Sequence, residues 1–189
     1  MRAFSGIKIA DNIIKSLEEL LLTLQQYKDR IKIVRQENLH ITFKFLGNIS
    51  NNLYREFVKN LQDSVSRISP FTVEISGIGF FPDKKRARVI WVGICQNKNL
   101  LELYKTTEDS AKRINIQPEK KPFQGHITVG RVKLPLMPGV VDNLEKKFQN
   151  KIWGKMAVKN ITIFESILYS DGPIYKELET ITLGGSKNG

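Results

Sequence analysis

The chain has 189 residues, of which 41% are hydrophobic and 26% charged, and its formal net charge is +11. This composition is typical of a soluble globular protein of one domain. It contains no run of about 18 apolar residues, so we expect neither a membrane span nor a signal peptide. The positive charge predicts attraction to polyanions, although a basic surface that contacts only water explains it equally well.

The predicted elements follow the order strand, helix, strand, helix, strand, and this order occurs twice. Strands are predicted from short apolar or alternating stretches, and helices from apolar residues spaced i, i+3, i+4 and i+7. In chain order the elements are a strand at Phe4–Ile9, a helix at Ile13–Leu24, a strand at His40–Phe45, a helix at Leu53–Ile68, a strand at Phe71–Ile75, a hairpin strand at Gly77–Phe81, a strand at Ile90–Cys95, a helix at Leu100–Ile114, a strand at His126–Val129, a helix at Val140–Phe148, a strand at Val158–Phe164 and a hairpin strand at Ile167–Tyr169.

The two halves of the chain correspond at an offset of 86 residues. His40 and His126, the only two histidines, stand at this offset, and each opens the tripeptide His-Ile-Thr. A repeat of this length indicates a duplication rather than a solenoid. We therefore predict one domain over residues 1–189, with pseudo-symmetric halves at roughly 1–85 and 86–175. Whether the halves exchange terminal strands stays open.

Each histidine begins a predicted strand in which polar and apolar residues alternate. In the first strand His40, Thr42 and Lys44 are expected on one face, and the intervening apolar residues as far as Phe45 on the other. The histidine and threonine of the second tripeptide project in the same way. A pseudo-twofold axis between the halves would bring the two histidines together across a cleft.

Histidine is suited to proton transfer because its ordinary pKa lies near neutrality, at about 6.5. Four interpretations of the pair are considered: core histidines held by hydrogen bonds, a metal site, a nucleophile with its base, and a general acid facing a general base. The sequence has no His-x-His, no cysteine cluster and no nucleophile motif, which disfavours the second and third. An acid and a base suit phosphodiester chemistry, in which threonine hydroxyls can hold the non-bridging oxygens.

The segments Leu39–Gly47 and Gly125–Arg131 resemble the paired His-x-Thr motifs of the 2H phosphoesterase superfamily. They are most similar to its RNA 2′,3′-cyclic phosphodiesterase branch, also called 2′-5′ RNA ligase. The resemblance extends to Phe4–Ile9, to Arg88–Gly93 and to the closing stretch from Ile163 to Tyr175. It implies an α+β fold, bilobal and duplicated, with two antiparallel sheets flanking a central cleft and helices on the outside.

The resemblance also implies an activity that needs neither metal nor cofactor. A terminal 2′,3′-cyclic phosphate is opened to a 2′-phosphate, and some members join 2′-5′ linkages by the same transesterification. By position His40 would be the proton donor, His126 the proton acceptor, and Thr42 and Thr128 phosphate ligands. The symmetry of the two motifs gives no independent reason for this division of roles between the histidines.

Arg131 matches a position that is usually basic in the family, and it would be a further phosphate ligand. In a regular strand its side chain would lie on the face opposite the histidines. A bulge at Gly130 would re-aim it toward them. A structural arginine on the outer face is the other interpretation.

Two other functions stay open: a phosphodiesterase for small cyclic nucleotide phosphates, and an RNA- or nucleotide-binding module without catalysis. The basic run Lys84–Arg88 is either a solvated loop or a contact for the RNA backbone. Phe80, Phe81 and Phe123 are either core residues or platforms for a terminal base. Because Cys95 is the single cysteine, a disulfide within the chain is impossible. We expect a cytoplasmic monomer that acts on RNA ends and does not bind membranes.

Overall fold

The computed structural model describes residues 1–170 and 172–184. Nine strands and five helices lie within these residues. In chain order they are β1 (Arg2–Lys8), α1 (Asp11–Ser16), α2 (Glu18–Gln25), β2 (Ile31–Ile33), β3 (His40–Asn48), α3 (Asn51–Val65), β4 (Phe71–Phe81), β5 (Val89–Ile94), α4 (Lys98–Lys112), β6 (His126–Val132), α5 (Val140–Phe148), β7 (Ile152–Val158), β8 (Asn160–Tyr169) and β9 (Gly172–Thr182). A 3₁₀ turn, Gln36–Asn38, precedes β3.

All the strands of the described chain pair antiparallel in one sheet, in the order β7-β4-β5-β6-β3-β1-β8-β9, with β2 added to β6. Two wings can be distinguished: β4 to β7 form one, and β1, β3, β8 and β9 form the other. They meet at β3 and β6, which share one residue pair, Ile41 opposite Ile127. The two strands therefore diverge on either side of this pair. The predicted α+β class is confirmed, and the two expected sheets are joined into one at this point.

The helices begin and pack as their sequence pattern predicts, and α3 is an example. The side chain of Ser50 accepts a hydrogen bond from the backbone N–H of Leu53 at 3.3 Å and so caps the helix. Phe57, Leu61 and Val65 follow at four-residue spacing, and all three are buried. Their common face is the one that packs onto the rest of the protein. No helix in residues 1–170 and 172–184 is long and apolar enough to cross a membrane.

The hydrophobic core lies between the helices and one face of the sheet. Ile41 and Ile127, the pair that joins the wings, are both 0% exposed and belong to this core. The buried stripe of α5, at Val140, Leu144 and Phe148, belongs to the same cluster. Because side chains alternate along a strand, the neighbours of the two isoleucines point away from the core. Those neighbours are the histidines and threonines of the two tripeptides.

A bulge in β3 changes which face its later side chains occupy. Phe43 is an extra residue between two successive pairs with β1, and such an insertion reverses the alternation. Lys44 is consequently 1% exposed on the core side, whereas Phe45 is 59% exposed and lines the same cleft as His40. The expectation that Lys44 shares a face with the histidine, and that Phe45 lies on the other, is therefore wrong.

A corresponding bulge occurs in β6, 86 residues further along the chain. Val129 is the extra residue there, because Thr128 and Gly130 pair with successive residues of β5. This bulge at Val129 lies one residue before Gly130, the position at which a bulge was expected to re-aim Arg131. It has that effect, since Arg131 lines the cleft together with His126. Arg131 and Phe45 thus occupy matching positions in the two strands.

The remaining differences from the predicted elements concern strands and one helix. The predicted helix at Ile13–Leu24 consists of α1 and α2, which are separated by Leu17. The two predicted hairpin strands are continuations of β4 and β8. The predicted strand at Val158–Phe164 includes the end of β7 and the beginning of β8. Strands β2 and β9 were not predicted.

Candidate active site

A cleft opens at the junction of the two wings, on the face of the sheet away from the core. Both histidines line it, together with Thr42, Thr128 and Arg131. The structure thus brings all five sequence-predicted site residues to one surface. Strand β3 contributes two of them and β6 contributes three.

The register between β3 and β6 arranges the four motif side chains diagonally. Around the single pair that joins the wings, His40 lies across from Thr128, and Thr42 lies across from His126. The histidines therefore occupy one diagonal and the threonines the other. Because the strands diverge beyond the joining pair, a space remains between these side chains. An atom bound in that space has a histidine on each of two opposite sides.

Each imidazole is anchored in the same way by a backbone carbonyl two residues earlier. His40 Nδ1 lies 2.6 Å from the Asn38 oxygen, and His126 Nδ1 lies 2.7 Å from the Gln124 oxygen. A carbonyl oxygen can only accept, so Nδ1 carries the proton that is donated. In the neutral ring Nε2 is then unprotonated and is the nitrogen left for a substrate. Either ring can take a proton at Nε2 as a base or release one as an acid.

Aromatic side chains from neighbouring strands, one in each wing, fix the orientation of both rings. The Tyr175 ring on β9 meets His40 edge-on, with the ring centroids 5.0 Å apart. On the other wing, Phe81 of β4 meets His126 edge-on at 5.0 Å. These contacts and the carbonyl bonds hold each imidazole in one position, which is what proton transfer along a defined line requires.

Burial and nearby positive charge lower the pKa of both histidines. For His40, burial is the main cause, the hydrogen bond to the Asn38 carbonyl opposes it, and Arg131 and His126 lower the pKa further by charge. For His126, burial again lowers the pKa most, the Gln124 carbonyl opposes it, and Arg131 adds to the lowering. Both rings therefore favour the neutral form until a negative charge binds between them.

The rest of the cleft is suited to an anion. The hydroxyls of Thr42 and Thr128 make no hydrogen bond with any other residue of the described chain, so they are available to a ligand. Arg131 and Lys32 line the same surface, and no Asp or Glu is among the described lining residues. Among residues 1–170 and 172–184, no three His, Cys, Asp or Glu side chains are grouped closely enough to hold a metal ion.

Sequence reasoning missed Phe45 as a cleft residue, because the bulge that turns it toward His40 leaves no trace in the apolar pattern. The matching position of Arg131, 86 residues later, was the available signal. Of the three aromatic candidates, Phe81 lines the cleft, whereas Phe80 is buried in the core. Phe123 stacks on Tyr104 at 4.2 Å within the partly buried margin of the core. The basic run Lys84–Arg88 lies outside the cleft, in a neighbouring groove.

Comparison with known proteins identifies the family to which this arrangement corresponds. The family described as "LigT like Phosphoesterase" matches the chain twice, over residues 7–91 and 92–175. An "RNA 2′,3′-cyclic phosphodiesterase" of Methanocaldococcus jannaschii is 34% identical and covers 95% of this chain and 99% of its own length. A protein of the same name from Aquifex aeolicus is also 34% identical and covers 98% of both chains.

Solved structures share the fold over nearly the whole chain. The Thermus thermophilus protein TT0787 superposes with a TM-score of 0.83 at 24% identity and covers 98% of this chain and 99% of its own. Escherichia coli LigT, in a complex with 3′-AMP, gives a TM-score of 0.77 at 22% identity and covers 96% of this chain and 97% of its own. At these identities the likeness establishes the fold alone.

Proposed function

The chain belongs to the LigT-like phosphoesterase family, and we propose that it hydrolyses the terminal 2′,3′-cyclic phosphate of RNA to a 2′-phosphate. The observation that carries this proposal is the diagonal pair of anchored histidines, with Nε2 free in a basic cleft. The names of the relatives from Methanocaldococcus and Aquifex support RNA ends as the substrate class.

The two histidines move protons at opposite sides of the phosphorus. His126, neutral at Nε2, takes a proton from water as the water oxygen bonds to phosphorus. The bond from phosphorus to the 3′ oxygen breaks, and His40, protonated at Nε2, gives its proton to that oxygen. The products are a 2′-phosphate and a free 3′-hydroxyl. Each histidine ends in the other's starting protonation state, and exchange with solvent restores both.

The diagonal arrangement fits this displacement. The attacking and leaving oxygens lie roughly in line through phosphorus, so an acid and a base on opposite sides each reach one of them. The two threonine hydroxyls, on the other diagonal, are placed to donate to the non-bridging oxygens, and Arg131 adds a positive charge. A 5′-hydroxyl of a second RNA in place of water would yield a 2′-5′ linkage by the same proton transfers.

Product identification tests the proposed reaction. We expect the EDTA-treated protein to convert an RNA ending in a 2′,3′-cyclic phosphate entirely to the 2′-phosphate, because the proton transfers are assigned to side chains. The product is identified by its resistance or sensitivity to enzymes that remove 2′- or 3′-phosphates. The double variant His40→Ala, His126→Ala is the control for contaminating activity. A 3′-phosphate product, or no hydrolysis, would overturn the proposal.

The pH dependence should be bell-shaped, because one histidine must be protonated and the other neutral. Burial and Arg131 lower the pKa of both rings in the free protein, so the maximum of kcat/KM is expected below about pH 6.5. The bound phosphate anion raises both pKa values, so the maximum of kcat is expected at higher pH. Steady-state kinetics across the pH range check both positions.

Arg131→Gln tests whether the charge of Arg131 sets the position of the pH maximum. Removing the positive charge should raise the pKa of both histidines and move the kcat/KM maximum to higher pH, whatever its effect on the height of the curve. Lys32→Gln is the matched control, since Lys32 lines the same cleft but contributes to neither pKa shift. An unmoved maximum in Arg131→Gln, or an equal movement in the control, would contradict the electrostatic account.

A further inference from the structure

A second concave surface lies beside the cleft, and we call it the basic groove. It is formed by residues 84–88, by residues 132–139, and by Val141 and Asp142 of α5. None of these residues lines the cleft. Its floor includes apolar side chains, of which Leu134 and Met137 are exposed.

The groove carries an excess of positive charge. Five cationic side chains line it, against the single carboxylate of Asp142; they are Lys84, Lys85, Arg86, Arg88 and Lys133. Lys84 and Arg86 form ion pairs of 2.6 Å with neighbouring carboxylates. Lys85, Arg88 and Lys133 form no ion pair with any residue in the described part of the chain. Three unpaired cations thus remain for an anionic ligand.

The groove begins where the cleft ends. Val89 and Arg131, paired across β5 and β6, line the cleft, and the residue before Val89 and the residue after Arg131 line the groove. Those residues are Arg88 and Val132, joined by a backbone hydrogen bond of 2.9 Å. One residue along a strand is about 3.3 Å and successive side chains point to opposite faces, so the groove lies around the ends of β5 and β6 from the cleft, and a chain that passes Arg131 reaches it by turning over this edge of the sheet.

We infer that the basic groove binds the phosphate backbone of the single-stranded RNA that precedes the terminal cyclic phosphate. This inference rests on the proposed function, since the cleft must hold that RNA end. Lysine and arginine in a groove follow a nucleic-acid backbone without regard to sequence. The wall of the cleft formed by β8 and β9 offers no such path, because the residues that it contributes are neutral. They are Ser166, Leu168, Gly172, Pro173 and Tyr175.

The test compares two substrates in a charge-reversed protein. The double variant Lys85→Glu, Lys133→Glu is assayed with cytidine 2′,3′-cyclic phosphate and with a single-stranded RNA of about ten nucleotides that ends in a 2′,3′-cyclic phosphate. The matched control is Lys59→Glu, Lys112→Glu, which makes the same change in net charge at exposed positions of α3 and α4. Retained activity on the mononucleotide shows that each variant is folded and that the proposed reaction stands.

For the oligonucleotide we expect KM to rise about tenfold in the groove variant. With the oligonucleotide, the negative slope of log kcat/KM against log salt concentration should become shallower in the groove variant, by about 0.7 for each lost phosphate contact. The mononucleotide should keep its KM within about twofold, because it does not reach the groove. An unchanged oligonucleotide KM would overturn the inference, as would an equal rise in the control variant. A matching rise for the mononucleotide would also overturn it, because the lysines would then act on the cleft itself.

Discussion

His40→Ala and His126→Ala should each lower kcat on a 2′,3′-cyclic phosphate substrate by about 10² to 10⁴, because each removes one of the two proton transfers. The double variant should be little slower than the slower single variant, since losing either transfer already disables the concerted step. Single-turnover rates at saturating substrate measure the loss in the chemical step.

The fold of these variants can be checked independently. Both imidazoles line the cleft, but the His40 ring also packs against the buried Phe4 ring at 4.9 Å, so the unfolding midpoint in urea should fall slightly in His40→Ala and stay near that of the unsubstituted protein in His126→Ala. A single variant that retained more than about a tenth of kcat would contradict the assigned chemistry.

Lys44→Met should destabilise the protein by about 3 to 5 kcal/mol, because it leaves the nearly buried carboxylate of Glu108 without its counter-ion. Lys44 Nζ donates to Glu108 at 3.0 Å and to the Gln117 carbonyl at 2.7 Å. Its side chain is 1% exposed and that of Glu108 is 11% exposed. The bond ties β3 to α4 and to the segment that leads to His126. Urea unfolding measures the loss.

The double variant Lys44→Met, Glu108→Leu separates this pair from simple packing. Replacing both charges by apolar groups removes the cost of an unpaired charge, so it should destabilise less than Lys44→Met alone. If the loss in unfolding free energy of the double variant equals the sum of the losses in Lys44→Met and Glu108→Leu, the ion pair is not the source of the effect. A loss below about 1 kcal/mol in Lys44→Met would contradict the buried position of the lysine.

The sequence predicts the two motif strands and the direction of their histidines, because the decisive information is local. His40 and Thr42 alternate with apolar residues, and the 86-residue offset repeats this arrangement at His126. Burial of Ile41 and Ile127 then places all four motif side chains on the opposite face. What joins the two strands is the pair that these isoleucines form, and no local pattern encodes a contact at that separation.

The bulge in β3 was not predicted, because it depends on the neighbouring strand, whereas the bulge in β6 was considered only as what Arg131 needs in order to face the histidines. At the first bulge β1 carries Gly6, where a Cβ would overlap the Ile41 carbonyl oxygen, so the two backbones approach closely. The result is that Phe45 faces the cleft and Lys44 the core, contrary to a regular strand. Strand β9 was missed for a different reason: it is an edge strand in which only Ile181 is buried, so it lacks an alternating apolar pattern.

The central claim is that one histidine acts as acid and the other as base, and a change of leaving group tests it most directly. A nitrophenyl phosphodiester has a leaving group that needs no proton, so the acid becomes dispensable while the base stays essential. With this substrate His40→Ala should recover most of its lost rate, and His126→Ala should remain slow. Recovery by His126→Ala alone would contradict the assignment of the two roles, and equal behaviour of both variants would contradict the division of roles itself.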